Sequence, residues 1–409
     1  MVLARSGTVY KDVWDLAGSR QLVARLMQTS PERRTQFVGL LCAGFVLTGV
    51  GTALLSSVLP TLTGLWHMSD DRAGILFAAQ FSGSAAGALF VGTNFFAGVV
   101  RGYVLLILSS VFLAVGPSSW AGLSFLSFGL GLGLTMTATS MAVGVLYVDK
   151  RGSALSLLNG FWAIGAAVSP ALASLWVSRW PPTHIFLVLA SSLAAVLAVV
   201  ARLKGAYAGP IVTPPRTSPR HGNLQFITFF AALGSLYVGV EASISGWMMS
   251  YVHRQPLANV LSAPIAASVF WIALLLGRML APAVLRRISE SQTLSSCIAI
   301  ALVSSLVLLL SRSPVAIILC AGVTGLALGP IYPLLLAKAL TLMKDSPDAK
   351  WVFSISGLGA AVLPWVTGKI STHNGSLRVG LLVPVVALAT MMTLNRLRAF
   401  PEVQYGGNN

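Results

Sequence analysis

The sequence predicts an all-α membrane protein of twelve transmembrane helices in two pseudo-symmetric six-helix bundles. Of its 409 residues, 56% are hydrophobic and only 9% are charged. A soluble surface needs roughly 25% charged residues, so water does not cover most of this exterior. Apolar stretches long enough to cross a hydrocarbon layer of about 30 Å recur along the whole chain. They fall into two sets of six around one break, "GAYAGPIVTPPRTSPRHGN" (205–223), rich in Pro, Gly and basic residues. Such a stretch cannot span a membrane and reads as a linker.

The elements follow in order. Residues 1–35 are a cytoplasmic tail. Within it, "TVYKDVWDLAGSRQLVARLMQ" (8–28) has helical spacing of Val9, Val13, Trp14, Leu22, Val23 and Leu26, interrupted at Gly18 and Ser19. Two readings stand: an interfacial helix with basic residues on anionic lipid, and a loosely ordered tail. The first bundle, 36–204, holds apolar segments at 36–66, 72–99, 102–116, 121–147, 153–179 and 183–203. The cytoplasmic linker is 205–221. The second bundle, 222–398, holds segments at 224–252, 263–285, 291–311, 314–343, 350–372 and 376–397, and 399–409 is a cytoplasmic tail.

Charge sets the orientation. A net charge of +16 would suggest nucleic-acid binding in a soluble chain, but here the placement of Lys and Arg matters, because cytoplasmic loops collect them. Of 27 such residues, twenty fall on the side of the N-terminus and five (Arg72, Arg179, Arg254, Arg312, Arg378) on the other. Both termini and the linker are therefore expected in the cytoplasm, in a multi-pass protein of the cell's inner membrane.

The halves repeat. "IGAAVSPAL" (164–172) in the fifth segment matches "LGAAVLPWV" (358–366) in the eleventh, and "GLGL" (131–134) in the fourth matches "GLAL" (325–328) in the tenth at the same offset. Pro170 and Pro364 occupy equivalent places. Two six-helix halves repeated in parallel, about an axis along the membrane normal, is the arrangement of the major facilitator fold.

The chain resembles the major facilitator superfamily from Gln36 to Leu397. "GRMLAPAVLRRISESQTL" (277–294) is similar to that superfamily's cytoplasmic loop motif, and the resemblance implies ion-pairing or gating roles for Arg278, Arg286 and Arg287. The first-half counterpart, "GTNFFAGVVRGYVLL" (92–106), lacks the motif's acidic residue. "YVGVEASISGW" (237–247), "GLALGPIYPLLLA" (325–337) and "SGLGAAVLPWVTGKISTHNGSLRVGLLVP" (356–384) resemble the fucose-permease-like sugar:proton symporters. Where that branch carries first-half carboxylates, this chain has Ser56 and Met136.

Eleven residues are acidic, and all but Glu241 fall in predicted tails or loops. A carboxylate inside a span costs a few kcal/mol (about 2.5–3.5 on insertion scales), so it is rarely there without a use. Glu241 is the candidate proton or substrate site. The competing reading is a permanent ion pair, with Lys369 at a similar outer depth or with Arg278 nearer the cytoplasm. Helical spacing puts Tyr237, Glu241, Ser245 and Met248 on one face. Gln80 with Ser84, Asn159 with Ser156 and Trp162 one turn on, and Tyr332 between Pro330 and Pro333 are further candidates. Tyr332 would sit where a broken helix exposes carbonyls. Amides, hydroxyls and aromatic faces suit a sugar. For each of them the plainer reading is interhelical hydrogen bonding, worth about 0.6 kcal/mol.

Several classes are excluded or disfavoured. "GLGLGL" (129–134) follows no strand and is no nucleotide loop. Cys42, Cys297 and Cys320 lie singly in apolar segments and read as packing residues. His67, His184, His253 and His373 map to outer loops and His221 to the linker, so neither a metal nor another cofactor is expected. No nucleophile–base constellation appears in the spans, which disfavours an enzyme, and the lack of a sizeable soluble module disfavours a receptor. The expected function is secondary active transport of a small polar solute, a sugar or related compound, by alternating access, proton-coupled through Glu241. The expected partners are that solute, protons and membrane lipids, with no nucleic acid, in a monomer. The alternative is an exporter of amphipathic compounds or lipids.

Overall fold

Inside a bilayer every backbone N–H and C=O must find a partner within the protein, and a helix satisfies them all locally. The computed structural model describes residues 31–92, 94–147, 151–202, 224–343 and 349–397, and contains no strand among them. The expectations for the linker 205–221, the tail 399–409 and residues 1–30 lie outside the described residues.

The helices are α1 (Pro31–Leu65), α2 (Asp70–Leu89), α3 (Phe95–Val115), α4 (Ala121–Leu146), α5 (Arg151–Val177) and α6 (Ile185–Arg202). After the linker come α7 (Leu224–His253), α8 (Ser262–Val284), α9 (Glu290–Leu310), α10 (Pro314–Met343) and α11 (Ala349–Asn374). The twelfth segment is split at Leu381 into α12 (Leu377–Gly380) and α13 (Leu382–Leu397). Among the described residues, ten spans are long and apolar enough to cross a membrane by length and composition alone. The remaining two helices, α2 and α11, are diluted by small and polar residues, including the paired acids Asp70 and Asp71 that open α2.

Two expectations need correction. The second segment does not run to 99: α2 ends at Leu89 and α3 begins at Phe95, so Arg101 lies within α3. Asn94 makes that boundary, its Oδ1 accepting from the Ala97 backbone N–H at 3.0 Å, the N-cap role for which Asn is favoured. Apolar residues on both sides of the cap concealed it. The second correction concerns α10, which continues unbroken through Pro330 and Pro333. Each proline removes one backbone donor, but α8 packs tightly along this stretch, which limits how far the helix can open.

The described helices sort into two compact units. The first is Met1–Thr52, Ala79–Ala166 and Thr183–Arg220. Gly49 and Gly165 bring α1 and α5 into backbone contact, and a side chain at either would strike the Trp162 or Val46 carbonyl. Gly83, Gly87, Gly129 and Gly133 do the same for α2 and α4. The second unit is Ala53–Ala78, Ala167–Pro182 and His221–Asn409. In it Gly359 lies on the Ser235 carbonyl, joining α11 to α7, while Gly277, Gly325 and Gly329 join α8 to α10. Small residues substitute for a hydrophobic driving force between helices that lipid solvates equally well. The pairing of first with fifth and second with fourth helix thus recurs as seventh with eleventh and eighth with tenth, the packing counterpart of the sequence repeat.

Candidate functional site

The second unit holds a charged network centred on α7. Tyr237 and Glu241 are one turn apart, and the Tyr237 hydroxyl donates to Glu241 Oε2 at 2.6 Å. Arg278, from α8, donates through an Nη nitrogen to the same oxygen at 3.1 Å. The Tyr237 hydroxyl also lies 3.0 Å from the Leu328 carbonyl on α10. Its ring stacks on Tyr332, with centroids 5.5 Å apart and planes 20° from parallel. Ser245 donates back to the Glu241 carbonyl at 2.7 Å, so its hydroxyl is satisfied within α7.

Accessibility differs across this group. Tyr237 is 1% exposed, whereas the side chains of Glu241 and Arg278 retain 14% and 25% of their surface. Arg278 Nε is buried and has no hydrogen-bond partner. A phenol carries one proton, and two acceptors flank it here. A short O–H···O contact to an ionised carboxylate is charge-assisted, which favours donation to Glu241.

Of the two cations that could pair with Glu241, the structure brings Arg278 to it. Lys369 lies instead with its ammonium 5.4 Å from the centre of the Trp365 ring, a cation–π contact within the second unit. Arg286 and Arg287 are exposed beyond the end of α8 and do not join the network.

The first-unit candidates form a separate group. Gln80 is buried, donates through Nε2 to the Thr52 carbonyl at 3.1 Å, and leaves its Oε1 without a partner. Trp162 Nε1 donates to the Thr52 hydroxyl at 3.3 Å. Asn159 is exposed and its amide donates to the Leu155 carbonyl one turn back at 2.9 Å. Thr52 therefore joins Gln80 and Trp162, while Asn159 serves its own helix.

A second constellation went unrecognised in the sequence. Asp70, which opens α2, accepts a bidentate pair from Arg254, just past α7, at 2.6 and 2.7 Å. Ser371 of α11 donates to Asp70 Oδ2 at 2.5 Å. The Asp71 backbone N–H donates to the Thr372 hydroxyl at 2.8 Å. Burial opposes ionisation of Asp70, but hydrogen bonds from Arg254 and Ser371, with the charge of Arg254, outweigh it and hold its carboxyl below the usual range. The hydrogen bond to Asp70 raises the already high pKa of Arg254. Next to this latch, Phe77 packs edge-on against Trp247, centroids 5.6 Å apart. Trp247 Nε1 donates to the Pro364 carbonyl at 3.0 Å. Gly74 and Gly368 allow α2 and α11 to meet backbone to backbone. The available signal was an acidic pair at a helix start with a lone arginine at another helix end, and nothing local relates residues so far apart in sequence.

Among the described residues no cluster of three or more His, Cys, Asp or Glu side chains could hold a metal. The three cysteines are free thiols.

Apolar spans packed through small residues, with polar networks inside them, define an integral membrane protein. The chain belongs to the Major Facilitator Superfamily, whose family model matches residues 41–350. A curated relative is Bypass of stop codon protein 6 of Saccharomyces cerevisiae, 24% identical over 89% of this chain and 82% of that protein. Among solved structures, FucP in its outward conformation covers 89% of this chain and 98% of its own, at 16% identity and a TM-score of 0.57. A variant of the E. coli fucose:proton symporter FucP gives 17% identity and 0.59 over the same shares. A bacterial homologue of the human lysosomal transporter Spinster, inward-facing and occupied, gives 14% identity and 0.71 over 90% of this chain and 97% of that one. At these identities the likeness is one of fold.

Proposed function

We propose that the protein is a secondary transporter that carries a small polar solute, a sugar or related compound, with Glu241 binding and releasing the coupling proton. The observation that carries this reading is the Glu241 network. A carboxylate held inside a span by a tyrosine and an arginine, yet still partly accessible, suits a group that exchanges protons during a transport cycle. In this reading 36–204 and 222–398 are the two bundles that alternate access, and the protein sits in the inner membrane as a monomer. The excess of Lys and Arg on one side supports cytoplasmic termini. The fucose:proton symporter among the structural neighbours is a precedent for such coupling on this fold.

The outer latch fits the same cycle. Asp70, Arg254 and Ser371 join the start of α2 to the ends of α7 and α11, and this tie has to break for that end of the protein to open.

The test is Glu241→Gln, with solute uptake followed in sealed vesicles across a pH series. Uptake driven by a pH gradient is lost in the variant, while solute exchange without a gradient persists. Transport with unchanged rate and pH dependence would remove Glu241 from the mechanism. A binding panel that includes amphiphiles beside sugars decides the solute class.

A further inference from the structure

The hydrogen-bonding capacity left unspent around Glu241 points to the kind of solute this site takes. Two of the hydroxyls are already used, since Ser245 donates to the Glu241 carbonyl and Tyr237 has one proton between two acceptors, which leaves the Tyr332 phenol facing Glu241. A neutral sugar finds little to bind there. A buried, unspent donor belongs to Arg278, whose Nε has no partner and which meets Glu241 through a single Nη nitrogen on Oε2. Guanidinium groups pair best with planar anions through two parallel N–H donors. This one holds its carboxylate by one.

Charge balance adds a constraint. The groups that face Glu241 are Tyr237 on α7, Arg278 on α8 and Tyr332 on α10. Arg278 is the one cation among them, and Lys369 is engaged with Trp365. A proton that neutralises Glu241 leaves a lone guanidinium inside a span, which is strongly disfavoured. An anion that arrives while Glu241 is ionised leaves two negative charges on one positive, which is disfavoured too. Entry of both together keeps the site neutral.

We propose that the Glu241–Arg278 pair is a displaceable clasp that admits one proton and one small organic carboxylate together. The proton binds a Glu241 carboxylate oxygen, the solute carboxylate takes the Nε and Nη edge of Arg278, and the net charge carried is zero. Protonated Glu241 can then donate to the Tyr237 oxygen, which frees the tyrosine proton for the Leu328 carbonyl. No donor is lost and α10 gains a hydrogen bond. This deepens the proton-site reading above and rests on it, and it narrows "a sugar or related compound" to one bearing a carboxylate.

The experiment is calorimetric binding to the purified full-length protein, with gluconate and acetate as carboxylate probes and glucose and glycerol as neutral controls. Titrations at several pH values, in buffers of different ionisation enthalpy, count the protons taken up. The proposal expects about one proton per carboxylate and an affinity that falls about tenfold per pH unit where Glu241 is ionised. In Glu241→Gln the carboxylate binds with no pH dependence. In the charge-neutral double variant Glu241→Gln/Arg278→Gln it does not bind, while the protein stays folded. If the neutral sugars bind with proton uptake and the carboxylates do not, the anion assignment is overturned and Glu241 survives as the proton site. If carboxylates bind without proton uptake in the native protein and alike in Glu241→Gln, the linkage fails, and the proton-site reading fails with it.

Discussion

Replacing Asp70 with Asn isolates the latch that Asp70 forms with Arg254 and Ser371. The substitution keeps the shape and converts a bidentate, charge-assisted pair into at most a neutral hydrogen bond. Bonds to charged groups are worth about 1.5–3 kcal/mol when well shielded. Here the shielding is one-sided: the Asp70 side chain is 10% exposed and that of Arg254 42%. Solvent screening on the arginine side reduces the loss to about 1–2 kcal/mol for the whole pair. That corresponds to a factor of about 5–30 in a two-state equilibrium. The assay is pulsed electron spin resonance in a cysteine-free background, with spin labels at Met68, before α2, and Leu257, after α7. The closed, short-distance population falls relative to the open one by that factor in Asp70→Asn. Arg254→Gln gives a similar shift, and the double variant goes little further, because the two residues act as one unit. Unchanged distances, or effects of the two substitutions that simply add, would refute the latch.

Four more outcomes follow. Because the Asp70 carboxyl is held below its usual range, the stabilisation it gives is present above the unfolded value, near pH 3.9, and is lost only as pH falls through the still lower folded value. The short-distance population should therefore stay flat from about pH 8 to about pH 5, so any pH dependence of transport in that window has another origin. Gly359→Ala drives a methyl into the Ser235 carbonyl and should cost about 1–3 kcal/mol, read as a lower Tm, whereas Gly39→Ala meets open space and should leave Tm unchanged or slightly higher. Asn94→Ala removes the cap of α3 at a cost of about 0.5–2 kcal/mol, visible as faster amide exchange in its first turn. Thr324→Val breaks a buried bond between the Ser304 and Thr324 hydroxyls, 2.8 Å long, and should cost only about 0.6 kcal/mol in unfolding titrations.

The fold was legible because hydrocarbon imposes a length and a polarity that few sequences meet by accident. The segment 314–343 matches α10 end for end, and the others agree to within a few residues, except where polar signals were overlaid on apolar ones. Asn94 is one such place. The cap that ends the α2–α3 connection is a single amide among phenylalanines, invisible to an average over a window. Pro330 and Pro333 misled in the opposite sense. Their loss of donors is a local fact, but whether the helix opens depends on α8, which the glycine spacing brings against it.

The site divides along the same line between local and non-local physics. Glu241 declared itself because its cost is local, a carboxylate among apolar neighbours, and Tyr237 followed from helical spacing. Which cation meets Glu241 is a tertiary question that depth along the spans could not answer, and packing of α8 decided it for Arg278. Asp70 passed unnoticed because a carboxylate at a helix start is ordinary. What separates the two ion pairs is saturation. Asp70 receives donors on both oxygens from Arg254 and Ser371 and has little left to offer. Glu241 takes two donors on one oxygen, beside a guanidinium nitrogen with no partner and a phenolic proton that two acceptors can claim. A saturated pair holds a conformation. In the proposed reading the unsaturated pair can rearrange when one proton is added, which is the property a coupling site requires.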